Sequence, residues 1–116
     1  MTMAIETVFA NVSCSNLKVS EAWYAKLFGR GPDRHPMDGL AEWQFSDSAE
    51  VQLYQDEDKA GRSTLTLGVV PLEPERRRII EAGIAAGDIE KAKDFYILRL
   101  REPDKNLVVL ASSDKT

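Results

Sequence analysis

An order of elements that occurs twice narrows the architectures open to this chain. Residues 5–14 alternate, with Val8, Ala10, Val12 and Cys14 on one side and Phe9, Asn11 and Ser13 on the other. That period of two predicts a strand with one greasier face. Ser15 and Asn16 then offer capping side chains, and Val19, Trp23, Tyr24, Leu27 and Phe28 follow at helical spacing. Gly29 is placed to end the helix in a left-handed conformation, and Gly31-Pro32 prevents its resumption. Two short strands, Leu40–Ser46 and Glu50–Gln55, are joined by Asp47-Ser48-Ala49. After a polar loop, Asp56–Arg62, the order begins again with a strand over Ser63–Val70. The second helix is entered through Glu73-Pro74-Glu75, with Ile79, Ile80 and Ile84 as its buried stripe and Gly87 as its stop. Strands Phe95–Arg101 and Asn106–Ser112 close the chain across the turn Glu102-Pro103-Asp104-Lys105. Displaced by about 56 residues, the first helix and the two strands after it fall on their counterparts in the second half.

The expectation is one α+β domain over residues 1–116, built from two βαβββ-type modules at about 5–55 and 63–112. A mixed, curled sheet would carry the helices on one face and leave the other open and concave. A chain of 116 residues has the length of one domain. Its net charge of −4 argues against general nucleic-acid binding. The longest apolar run, Leu107–Ala111, is far short of the roughly 20 residues that span a bilayer. Met1–Ala10 lacks the basic start and apolar core of a secretory leader, so a soluble, cytoplasmic protein is expected. With one Cys and one His, neither an internal disulfide nor a structural zinc site made of Cys and His can form. A nucleophile–histidine pair would have to use His35, which lies in the Gly31–Gly39 loop and reads as solvated.

Two stretches carry a family resemblance. Asn16, Ser20, Trp23-Tyr24 and Phe28-Gly29 occupy, in register, the opening motif of the glyoxalase/bleomycin-resistance/extradiol-dioxygenase superfamily (the vicinal oxygen chelate fold). Glu102-Pro103-Asp104-Lys105-Asn106 and the strand after it resemble the family's Asp-Pro-Asp-Gly-Asn turn. Lys105 stands where the family prefers Gly and is strained if its backbone is left-handed. Pro103 presets the turn, and Asp104 and Asn106 are expected to bond neighbouring amides. The resemblance runs from Ile5 to Ala111.

Catalytic members of that family hold a divalent metal with His, Glu or Gln on the open face. The resemblance places those positions on Phe9, near Gln52, near Thr64 or Leu65, and on Val109. Only Gln52 could ligate, so no metal and no other cofactor are expected. Asp56-Glu57-Asp58 imitates the start of a calcium loop, but Ala60 and Leu67 stand where ligands are needed. Arg76-Arg77-Arg78 spans about 200° of a helix and reads as a solvated surface rather than a phosphate patch. Cys14 reads as a buried thiol, and Trp23 with Tyr24 as helix-to-sheet core.

By alternation, Phe9, Asn11, Gln52, Tyr54, Thr64 and Thr66 share the open face, and the resemblance adds Val109. The facing of Trp43 and Arg99 is left open. Aromatic and amide side chains on one concave surface suit a small organic ligand; internal packing or a second subunit would use the same residues. Three functions follow. The first is a homodimeric, bleomycin-resistance-like protein that binds or sequesters a small planar or cationic compound at Phe9, Asn11, Gln52, Tyr54, Thr64 and Val109. The second is a lyase, isomerase or dioxygenase whose metal is held by residues such as Glu42, Glu50 and Gln52. The third is a ligand-free interaction module.

Overall fold

The structure, a computed structural model, describes residues Met1–Thr116. Strand β1 (Val8–Cys14) is followed by α1 (Leu17–Phe28), β2 (Leu40–Ser46) and β3 (Ala49–Gln55). Strand β4 (Thr64–Gly68) is followed by α2 (Leu72–Glu81), β5 (Glu90–Lys91), β6 (Tyr96–Arg101) and β7 (Leu107–Ser112). The strands form two sheets, β1-β3-β2 and β4-β7-β6-β5. In each, the first strand lies parallel to the last, and the last pairs antiparallel with the strand before it. The repeat is therefore real, with both helices packed on the same side.

The two modules are unequal. The second is βαβββ, whereas the first is βαββ. Where β5 pairs with β6 in the second module, the first has a single bridge between Arg34 and Glu42. Pro32 and Pro36 flank that bridge, and proline has no N–H to extend a ladder. Strand β5 escapes sequence reading because two charged residues carry no alternation.

Further boundaries differ from expectation. Strand β1 starts at Val8 rather than residue 5. Val19 points to solvent on the outer side of α1, and Ile80 is likewise exposed one step beyond buried Ile79. Helix α2 ends at Glu81, well before Gly87, because the chain turns through Gly83 in the left-handed region. Ile84 is buried, but from the loop after the helix. Helix α1 ends as anticipated, with Gly29 at φ +79° and its N–H bonded to the Ala25 carbonyl. Asn16 caps its start by accepting from the Val19 amide at 3.3 Å.

The core lies between helices and sheets. Tyr24 and Leu27 of α1 cover Val12, Ala41, Trp43, Val51 and Leu53; Leu72 and Ile79 of α2 lie over Leu98, Leu100, Val108 and Leu110. Trp43 thus belongs to the core, where its indole N–H finds the Arg30 carbonyl at 3.0 Å. That bond satisfies the donor that burying a tryptophan would otherwise strand.

Polar side chains join the modules. The buried Asn106 donates to the Ser13 carbonyl at 2.9 Å and accepts from the Ser63 amide at 2.8 Å. Asp104 accepts from the Ser15 amide and hydroxyl and from the Ser20 hydroxyl. The Glu102 carboxylate, not Asp104 or Asn106, satisfies the amides of the turn, accepting from the N–H groups of Asp104 and Asn106. It also accepts from the Tyr24 hydroxyl at 3.3 Å. Burial pushes the Glu102 carboxyl above the usual carboxylate range despite those bonds. Burial and the charge of Glu102 raise the Tyr24 hydroxyl, and burial with the nearby Asp104 lifts Cys14 to about 11. Lys105 takes the left-handed backbone at φ +71°. Gly61 is required as well as permitted: at φ +85°, a Cβ there would sit 2.6 Å from the Asp104 carbonyl oxygen. On the helix side, Arg78 donates to the Lys26 and Leu27 carbonyls at the end of α1. It is a clamp between modules rather than part of a solvated patch.

Candidate ligand site

Register decides which residues share the face away from the helices. Phe9 lies opposite Glu50, Asn11 opposite Gln52, and Ser13 opposite Tyr54; Glu42 lies on the other side of Gln52. Alternation gives Val12, Val51, Leu53 and Trp43 to the core, so these partners face outward. In the second module, Thr66, Val109 and Arg99 form one row on the same face, with Thr64, Leu107 and Arg101 in the next. Arg99 therefore faces outward. Leu65 is buried on the helix side, so of the pair Thr64 and Leu65 only Thr64 reaches the open face.

The six residues expected to bind a ligand are placed on this face but not gathered at one point. Asn11 donates to Gln52 at 3.2 Å. Phe9 and Tyr54 bracket that pair from rows four residues apart, a separation of roughly 13 Å along the strands. One small ring cannot stack on both. Thr64 and Val109 lie in adjacent rows across the boundary between sheets, where β1 and β4 meet. None of the six lines any of the molecule's three cavities.

What dominates the first module's half is a charged network that sequence reading only brushed. Glu42 and Glu50 are 6 % and 8 % exposed. The Arg34 guanidinium reaches over both, donating to Glu42 at 2.7 Å and also pairing with Glu50. Gln52 donates to the second Glu42 oxygen at 2.7 Å, so Asn11, Gln52, Glu42, Arg34 and Glu50 form one continuous chain of hydrogen bonds. Desolvation works against the Arg34 charge, yet the two carboxylates prevail and hold it above its usual range. Arg34 itself is 41 % exposed along its side chain. The Arg34 side chain is thus partly open to water. The second module's half has the opposite sign: Arg99 pairs with Glu90 at 3.0 Å, and Arg101 donates to the Lys105 carbonyl. The signal for this site lay in Glu42 and Glu50, acids at the outward positions of strands whose other face is core. Arg34 gave none, since its loop has no periodicity. His35, from the same loop, meets Glu21 at 2.6 Å and leaves the site.

The metal positions of the family do not fit a metal here. Phe9, Thr64 and Val109 offer no suitable donor, and the Gln52 amide is bonded at both ends. Glu42 and Glu50 already hold a cation in Arg34. A site needs several converging donors, and this set supplies none that is free.

Comparison of the whole fold with solved structures gives close matches. A glyoxalase/bleomycin resistance protein from Catenulispora acidiphila superposes with a TM-score of 0.86 at 23 % identity, over 92 % of this chain and 97 % of that one. The chain has the glyoxalase fold. A lactoylglutathione lyase from Agrobacterium tumefaciens is similar with a TM-score of 0.76 at 13 % identity, covering 90 % and 91 %. A glyoxalase/bleomycin resistance protein from Albidiferax ferrireducens gives 0.70 at 16 %, covering 90 % and 95 %. No protein-family model matches the sequence, and no curated protein sequence does. The glyoxalase fold explains why Ser20, Tyr24, Asp104 and Asn106 appear together: they form the seam between modules. No helix is long and apolar enough to cross a membrane.

Proposed function

We propose that this glyoxalase-fold protein binds or sequesters a small organic compound bearing a cationic group, without a metal. The observation that carries the reading is the pair of nearly buried carboxylates on the open face, covered by one half-exposed arginine from a loop. Burying two carboxylates is costly unless a cation accompanies them. Arg34 fills that role in the free protein, and an amine, amidine or quaternary ammonium group can replace it while Arg34 returns to water. The ligand's cation belongs to the first module's half, because Arg99 and Arg101 would repel it from the second. Tyr54 or Phe9 then supplies one aromatic contact, worth roughly 0.5–1.5 kcal/mol beyond area burial. The net charge of −4 adds weak steering toward cations. The reading includes a homodimer, supported by the exposed Met1, Met3 and Ile5 ahead of β1 and Val8 at its start, which a second subunit would cover.

A thermal-shift screen of aromatic amines, amidines and quaternary ammonium compounds, run with chelator present, tests it. Hits are expected to lose at least tenfold in affinity for Glu50→Gln and to bind Arg34→Ala more tightly. Hits indifferent to both substitutions would place binding elsewhere and end the proposal.

A further inference from the structure

A second candidate site lies on the helix side of the sheets, away from Tyr54 and Gln52 of the open face. A cavity of about 360 Å³ sits where the end of α1, the middle and end of α2 and the ends of β2 and β4 meet. That volume is at the lower end of the small-molecule range, and an apolar cavity less than half as large already holds benzene. We propose that it binds a small, flat, uncharged aromatic compound of one or two rings.

The chemistry of the walls selects the class. Phe28 and Phe45 meet edge-on with centroids 4.9 Å apart, and Leu67 and Val69 supply aliphatic surface. Phe45 is 45 % exposed although the Arg30 guanidinium lies over its ring at 5.4 Å. A large ring left that open has area to bury against a ligand. The only charged side chains in the wall are Glu75 and Arg78, and they satisfy each other at 3.0 Å. Arg78 is further committed to the Lys26 and Leu27 carbonyls. No side-chain N or O atom is buried without a partner, so nothing here asks for a charge or a strong hydrogen bond. A charged ligand would have to break the clamp, whereas a neutral ring only displaces water. The same clamp fixes the separation of α1 and α2, so the cleft is shaped before binding.

Indole is a suitable probe: neutral, two-ringed and soluble. Titration followed by calorimetry and by NMR shifts is expected to give saturable, submillimolar binding. Naphthoate, a ring of similar size with a carboxylate, is expected to bind at least tenfold more weakly. Val69→Phe, which fills the cleft, should weaken indole by tenfold or more, and Phe45→Ala, a surface truncation that leaves the fold intact by circular dichroism, by about threefold to tenfold. Glu50→Gln and Tyr54→Ala on the open face should leave indole binding unchanged. Three results would each overturn the proposal: no saturable binding, indole binding that tracks Tyr54, or a dimer that Val70→Asp dissociates, which would assign the cleft to a second copy.

Discussion

Replacing Asn106 by alanine is expected to cost more than most single changes in this chain, although the residue touches no ligand. Its side chain is 1 % exposed and makes two bonds, to the Ser13 carbonyl of the first module and the Ser63 amide leading into β4. Truncation strands two backbone groups in a place water does not reach. Each stranded group costs about 1–3 kcal/mol, so the total is about 2–6 kcal/mol. Set against the roughly 5–15 kcal/mol that holds a domain folded, that is a large fraction. With a urea slope in the range of about 1–3 kcal/mol/M, the midpoint should fall by about 2 M. Asn106→Asp keeps the acceptor but loses the donor and brings a charge beside Glu102, so it should cost at least as much. Glu57→Ala, in an exposed loop, should change stability by less than about 0.5 kcal/mol. Urea unfolding followed by tryptophan fluorescence and circular dichroism measures all three. A loss below 1 kcal/mol for Asn106→Ala would refute the claim that this side chain joins the modules.

Three further outcomes follow from the same structure. Cys14, buried and raised to about 11, should resist dithiobisnitrobenzoate at pH 8 in the native protein and react at once in urea; fast native labelling would contradict its placement. The Glu102 carboxyl is raised on folding, so its stabilising contribution is complete below the unfolded value of about 4.3 and is lost as pH rises through the folded one. Glu102→Gln, which keeps an acceptor for the Asp104 and Asn106 amides, should therefore gain on the wild type between about pH 4 and 7 in thermal melts; an equal offset at both pH values would be evidence against this. Arg78→Met should lower stability by about 1–3 kcal/mol by freeing two α1 carbonyls and Glu75, and a neutral result in urea unfolding would show that the clamp is idle.

Much of the fold was legible because two periodicities dominate its strands and helices. The alternation of Ala10 and Val12 against Phe9 and Asn11 assigned the faces of β1 correctly, although Val8 at its start is left exposed instead of packing under the helices, and Val51 and Leu53 against Gln52 and Tyr54 did the same for β3. The end of α1 was readable in Gly29, because a left-handed residue is a local requirement. What escaped lies where local pattern gives way to tertiary pairing. The two-residue β5, the early end of α2 at Glu81 and the burial of Ile84 from a loop depend on partners distant in sequence. Asp104 and Asn106 looked like turn residues, and their composition fits a turn; that they reach the other module is visible only once the modules meet. The candidate site divides the same way. Its floor followed from alternation, but the Arg34 loop that covers Glu42 and Glu50 carries Pro32, Pro36 and no repeat from which a facing could be read.

The proposed function has the open face capture a cationic organic compound through Glu42 and Glu50 rather than through a metal. The direct measurement is calorimetric titration of the best screening hit into chelator-treated protein, repeated with one equivalent of zinc, manganese, nickel or ferrous ion. The dissociation constant should stay unchanged within about twofold with every metal and weaken at least tenfold for Glu50→Gln. A constant that tightens tenfold or more only when metal is supplied, and ignores Glu50→Gln, would contradict the proposed function.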